Sequence, residues 1–439
     1  MFGFVALLFA CQIALIIDVL SPLRIVFRTG AVAASIVLLI VLRGHAVNHP
    51  ARFWCLTVIA VLVFEGFHPL GNTPFAIVGQ IGLYVSVLAP IFWVCRLKLN
   101  LGDFRRLLLL IWGFHFVSAC FGVLQVYDPD RFQPKLSAII QQQGGSDPEG
   151  YLNSLRIQLE DGRRVFRPMG LTDAPGGAAN SGRYAALFGL AFFLNDRRTW
   201  FRVLSCLSIA LGFFCLYLCQ VRMALIMSFI CSAAFLVFLF LRGDTRRGIL
   251  GLVCLSIAAI LSLFWSLAVA GTAVSSRLET LTEGRPDEVY YNNRGHFLED
   301  TFAYALPEYP LGAGLGRWGM MNYYFGSDMI PGSTRLWVEI QWTGWVFDGG
   351  VPLMLAYCLA IGAAMVTAAR LALSRRTDEV PYWATLVFGY NVGAIAVTFS
   401  YPLFVSQSGL EFWLINGALF TAATRSVSRS VVQRRRIAT

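Results

Sequence analysis

An all-α fold that crosses a membrane about twelve times, with two long external loops, is predicted by three features of the sequence. Hydrophobic residues make up 57% of the 439 and charged residues only 14%, at a mean hydropathy of +0.63, a balance that a water-soluble surface does not have. The apolar residues are gathered in runs of the length a spanning helix needs. The basic residues recur in alternate connections between those runs.

Residues 1–127 contain five runs, near 2–20, 26–42, 53–67, 74–95 and 107–127. The first has no basic residue before it and no small-residue cleavage site behind it, so it is expected to stay as a span. Asp18 and Glu65 fall inside runs, where a charge costs at least ~2.5 kcal/mol at the bilayer centre. Such an acid can serve as a proton relay, which would suit a transporter, but both lie near run ends and read rather as solvated helix termini. His45, His49, His68 and His115 occur singly, and neither they nor the ten cysteines show metal-ligand spacing, so no metal is expected. All the cysteines lie in or beside apolar runs, so no disulfide framework is expected in the loops.

Residues 128–182 form the first external loop. KLSAIIQQQ and YLNSLRIQLE carry apolar residues at helical spacing and predict short amphipathic helices at the membrane surface. The loop ends in FRPMGLTDAPGGAANSGRY, in which a glycine-rich turn beside arginine suits phosphate oxygens and equally suits a flexible approach to the next run. Residues 183–271 carry helices six to nine, with runs near 181–194, 203–219, 224–241 and 248–271. Only Gln220 and Arg222 interrupt the middle two, so the turn there is a few residues long. An arginine at such a boundary needs an anion, either a lipid headgroup or a substrate diphosphate.

Residues 272–344 form the second external loop, and 345–439 carry helices ten to twelve, near 345–369, 382–400 and 409–424, with a basic tail. Within the loop, Arg294 is followed at helical spacing by Phe297, Leu298, Phe302 and Leu306, which predicts a helix starting near Arg294. The PLGAGLGRW that follows has no preceding strand and no P-loop lysine, so it does not read as a nucleotide site.

The net charge of +10 is a topology signal. Arg43 and Arg52, the Arg96–Arg106 group, Arg197–Arg202, Arg242–Arg247, Arg370–Arg376 and the tail all fall in connections on one side. The intervening short connections hold only Arg24, Arg28 and Arg222. By the positive-inside rule both termini are cytoplasmic and both long loops face out. Nucleic acid is excluded as a partner on the same ground.

Four segments together resemble the O-antigen polymerase and ligase superfamily of bacterial envelope glycosyltransferases. RPMGLTDAPGGAA at Arg167 is similar to that family's Arg-, Gly- and Pro-containing stretch closing the first large external loop. QVRMAL at Arg222 is similar to its short Ser-Arg turn, with Val221 where serine is usual. NRGHFLEDTFAYALPEYPLGAGLGRW resembles its Arg-helix-PxxGxG segment, and STRLWVEIQWTGWVFDGG its last motif before the tenth span. Ligases of the superfamily carry a histidine about eleven residues before the glycine of that motif; counted back from Gly344, the position here is Ser333. The resemblance therefore implies a polymerase of undecaprenyl-diphosphate-linked oligosaccharides at the outer face of the bacterial cytoplasmic membrane. It implies further a flippase and a chain-length regulator as partners beside the membrane lipids, and no cofactor. A ligase attaching chains to lipid A core is the alternative within the family, and a lipid-linked oligosaccharide transporter the alternative outside it.

A sugar diphosphate already carries a good leaving group, so catalysis needs fixed cations for the departing diphosphate and a base for the acceptor hydroxyl. Arg222 and Arg294 take the first role, supported by Arg167 and Arg335. Glu339, at the start of an apolar run, takes the second, with His296 next in order. Trp318 and Trp337, with Trp342, Tyr323 and Tyr324, are candidates to stack on sugar faces or to anchor at the membrane interface.

Overall fold

The computed structural model describes residues 1–136, 148–282, 288, 291, 295–330, 332 and 334–437. Among them the protein is mostly helix with almost no strand, and eight helices are long and apolar enough to cross a membrane. The long helices are α1 (Phe2–Ala14), α2 (Arg24–Val41), α3 (Arg52–Glu65), α4 (Pro74–Leu88), α5 (Leu101–Tyr127), α6 (Ala178–Asn195), α7 (Thr199–Cys219), α8 (Arg222–Leu241), α9 (Thr245–Thr282), α10 (Gln341–Ala372), α11 (Val380–Val397) and α12 (Gln407–Ile437). Each of the twelve expected runs falls on one of them. The eight spanning candidates are α2, α4 with its continuation to Arg96, α5, α7, α8, α9, α10 and α11. Helices α1 and α3 are shorter, at 13 and 14 residues.

Local chemistry sets several ends. Thr73 caps α4 by accepting the Ala76 amide at 3.1 Å, with Pro74 at the first helical position. Asn100 and Asp103 bond reciprocally at 3.0 and 3.1 Å to start α5. Helix α9 breaks at Ala270 (φ −142°, ψ 47°). Its membrane-length part therefore ends where the apolar run ends, and a further helical stretch reaches Thr282.

Packing divides the chain into two units that cut across the linear segments: residues 1–31 with 105–286, and residues 32–104 with 287–439. In the first unit α6, α7 and α9 pack together, and its first loop is more than surface helix. KLSAIIQQQ lies largely outside the described residues. YLNS belongs to a helix (Pro148–Ser154), but the RIQ after it is a strand, β1 (Arg156–Gln158), paired antiparallel with β2 (Arg164–Phe166). The helical expectation fails there because Ile157, Leu159 and Val165 bury on one face of a hairpin, and a period-2 pattern over so few residues also fits a helix. Asp18 meets its expectation, exposed and 3.2 Å from the Lys135 ammonium.

In the second unit α3 and α10 pack side by side, as do α10 and α11. At one end the Val47 amide donates to the Cys95 carbonyl at 3.0 Å, His49 meets the Phe420 ring at 4.8 Å, and Arg376 donates to the Ala423 carbonyl at 3.0 Å. At the other end the Asn72 amide donates to the Leu315 carbonyl, and the Gln341 amide to that of Thr398, each at 3.0 Å. Arg52, Arg96 and Arg376 thus lie at the end of this unit away from the glycine-rich loop.

Candidate functional site

In the first unit the segment Arg167–Gly177 is pinned to α5 through Met169, Gly170 and Leu171. The Gln125 side-chain oxygen accepts the Met169 and Gly170 amides at 2.8 and 2.9 Å, its nitrogen donates to the Gly170 carbonyl at 2.9 Å, and Ser118 accepts the Leu171 amide at 3.0 Å. Gly170 is required here: φ is +63°, and a Cβ would lie 2.6 Å from the Ser118 hydroxyl. Asp173, further along, holds Arg28 at 2.7 Å. A turn tied down this fully presents Arg167 in one orientation, its guanidinium donating to the Ser154 carbonyl at 2.8 Å.

Between α7 and α8 the chain turns through Gln220 (φ +54°, left-handed) and Val221 alone, so Arg222 is the first residue of α8. The turn is as short as the sequence requires. A Cβ built on Gly176 would meet Val221 at 3.2 Å and the Arg167 side chain at 4.0 Å. Gly176 thus lies beside both the Arg167 side chain and Val221, the residue that precedes Arg222, 55 positions after Arg167 in sequence. Arg222 also lines a small apolar cavity with Tyr217, Gln220, Leu225, Val274 and Leu278. An arginine at the N-terminus of a helix, where backbone N–H groups lack intrahelical partners, is an arrangement that favours an anion.

The second unit holds the other candidates. Arg294 lies outside the described residues. The helix expected after it is present from His296 to Glu308, with a wider π turn over Thr301–Ala305. His296, half-buried, sits 3.1 Å from the Tyr291 carbonyl through Nδ1. Arg335 and Trp337 are exposed, and half-buried Glu339 immediately precedes the residue that caps α10. Trp318 is not available to stack on a sugar. It is 4% exposed, and its indole N–H donates to Asp348 Oδ1 at 2.9 Å.

Asp348 is the organising residue that the sequence did not reveal. Fully buried, it accepts a second bond from Gln80 at 2.9 Å and a third from the Tyr84 hydroxyl at 2.8 Å, both on Oδ2. A buried carboxylate is tolerated only when so bonded. Next to it α10 is broken at Gly349 and Gly350, and the glycine-rich loop inserts there. The Ala313 amide donates to the Phe347 carbonyl at 2.8 Å and the Val351 amide to that of Pro310 at 2.9 Å. Glu65 is not the solvated terminus expected of it: one carboxylate oxygen is buried, and a Cβ on Gly312 would lie 2.8 Å from it.

Arg317, 2% exposed, was also passed over. Its guanidinium donates to the Ala313 carbonyl at 2.7 Å and the Thr334 carbonyl at 3.1 Å, while its own carbonyl accepts the Leu336 amide at 2.8 Å. It thereby grips the backbone on both sides of Arg335. Burial pulls its pKa below the ordinary arginine value, with Tyr309 and Glu308 opposing the shift. Burial, and then the charge of Arg317, hold the His68 imidazole below its usual value.

Compared with known proteins, the chain matches no family model and no curated protein.

Proposed function

We propose that the protein is a membrane glycosyltransferase that joins undecaprenyl-diphosphate-linked oligosaccharide repeat units into a surface polysaccharide, an exopolysaccharide, capsule or O-antigen. In this reading the chain spans the bacterial cytoplasmic membrane twelve times, with residues 128–182 and 272–344 outside. The observation that carries it is that Gly176, beside the Arg167 side chain, packs on Val221, the residue before the Arg222 that opens α8. Two arginines on neighbouring segments with a helix N-terminus suit a diphosphate, because the planar fork bonds phosphate oxygens in pairs.

The bond between the anomeric carbon and the diphosphate oxygen breaks, and the electron pair leaves on the polyprenyl diphosphate, whose charge arginine side chains, the role given above to Arg222 and Arg294, neutralise. The acceptor hydroxyl oxygen forms the new bond to the anomeric carbon from the opposite face and yields its proton to Glu339, inverting the centre. The arginines supply the charge neutralisation, so the scheme needs no metal or cofactor. A flippase delivers the substrate, and a chain-length regulator sets where growth stops. The ligase reading is disfavoured because Ser333 stands where the resemblance calls for a histidine; that position lies outside the described residues.

Arg222→Ala and Arg294→Ala are each expected to abolish chain growth while the protein remains folded in the membrane. Lysine at either position restores it only in part, since a point charge cannot bond in pairs. Polymer of normal amount and length from both alanine variants would overturn the assignment.

A further inference from the structure

The end of the second unit away from the glycine-rich loop holds a cleft of about 400 Å³, open to solvent and distinct from every residue assigned above. Arg43, His45, Arg52 and Arg96 line it, and no carboxylate does. The cleft is built rather than incidental. The connector after α2 is tied to the end of the α4 continuation by the Val47 amide on the Cys95 carbonyl. Arg96 Nη1 donates to the Leu39 and Leu42 carbonyls at 2.7 and 2.5 Å, closing the C-terminus of α2. Arg52 donates to Asn48 at 2.7 Å and lies 5.9 Å from the centre of the Phe92 ring. Two of the three guanidinium groups are therefore fixed by neutral partners. Arg43 and His45, both exposed, complete the rim.

Fixed cations gathered with no carboxylate among the described residues that line the cleft create a field that an anion relieves. Phosphate oxygens match guanidinium geometry best. The surroundings indicate what carries the phosphate: Ile40 and Val41 on the last turn of α2 and Phe53 on the first turn of α3 are 65–70% exposed. Apolar side chains so exposed beside the cleft suit acyl chains, and a soluble phosphate has no use for them.

We propose that this cleft binds the phosphate headgroup of an anionic phospholipid, its acyl chains lying along the exposed side chains of α2 and α3. The lipid bridges the α2–α3 connector and the end of the α4 continuation, the kind of basic pocket between spans that anionic headgroups occupy.

The test is native mass spectrometry of the purified full-length protein titrated with phosphatidylglycerol, phosphatidylcholine or inorganic phosphate. Wild-type protein is expected to retain phosphatidylglycerol in preference to phosphatidylcholine. The Arg43→Gln/His45→Gln double variant, at exposed positions that leave the fold and basal activity intact, is expected to bind it about tenfold more weakly. An Arg197→Gln/Arg198→Gln variant, altered in another basic connection, keeps wild-type binding. Equal loss from both variants would reduce the effect to diffuse surface charge and overturn the site. Equal retention of the two lipids, or displacement of phosphatidylglycerol by inorganic phosphate at comparable concentration, would overturn the lipid assignment.

Discussion

Asp348 and Trp318 show how a residue's role depends on partners that a linear reading does not bring near it. Asp348 lies within the apolar run 345–369, and its partners Gln80 and Tyr84 are 268 and 264 positions away. No local spacing signals such a bond. Trp318 follows spaced glycines in a mostly polar segment, so it read as a ring for stacking or interfacial anchoring; it is instead buried against Ala313, Val346 and Phe347 and bonded to Asp348, 30 positions on. Trp318→Phe keeps most of the ring and removes one bond to a charged group, a loss of about 1.5–3 kcal/mol. The melting temperature in detergent should fall accordingly. Asp348→Asn should fall at least as far, because an amide presents N–H toward one of three donors. Unchanged melting in both variants would remove Asp348 from the centre of the second unit. Arg222 and Arg335 drew notice because an arginine in or beside an apolar stretch is conspicuous, whereas Arg317 was passed over because its partners, mainly backbone carbonyls, leave no mark in the sequence.

Among the elements, the helices were readable because membrane-length apolar runs admit little else, and each expected run falls on a helix. The short pieces were not. Strands β1 and β2 hold only three residues each, too few for a period to declare itself, and the break in α10 depends on what inserts there. Gly350 shows why: φ is +56° with ψ −148°, and a Cβ would strike the Pro310 carbonyl. The backbone conformation alone costs a non-glycine residue about 1–3 kcal/mol, and the clash adds to it. Gly350→Ala should therefore expel the Pro310–Trp318 loop, seen as faster proteolysis of that loop and a lower melting temperature. Gly362→Ala, in the same helix with open space at its Cβ, should change neither. Equal behaviour of the two variants would contradict the threaded arrangement.

At the scale of the whole molecule, composition was enough to read a multi-pass, all-α protein, but the order of segments along the chain did not show how they pack. The two packing units each join an N-terminal stretch to a distant one, as long-range contacts between helices dictate. The charge bias makes sidedness testable: if it holds, Glu149→Cys in the first loop should react with a membrane-impermeant thiol reagent added outside intact cells, and Arg375→Cys should not, each judged against the native thiols. The reverse pattern would invert the topology. The central claim, that the chain builds glycosidic bonds between lipid-linked repeat units, is tested most directly with purified protein in detergent given undecaprenyl-diphosphate-linked repeat unit as sole substrate. The account predicts a ladder of products one repeat unit apart on a single lipid, with one undecaprenyl diphosphate released per bond. Substrate returned unchanged by active, well-folded protein, and moved across the bilayer when the protein is placed in liposomes, would contradict it and make the protein a carrier.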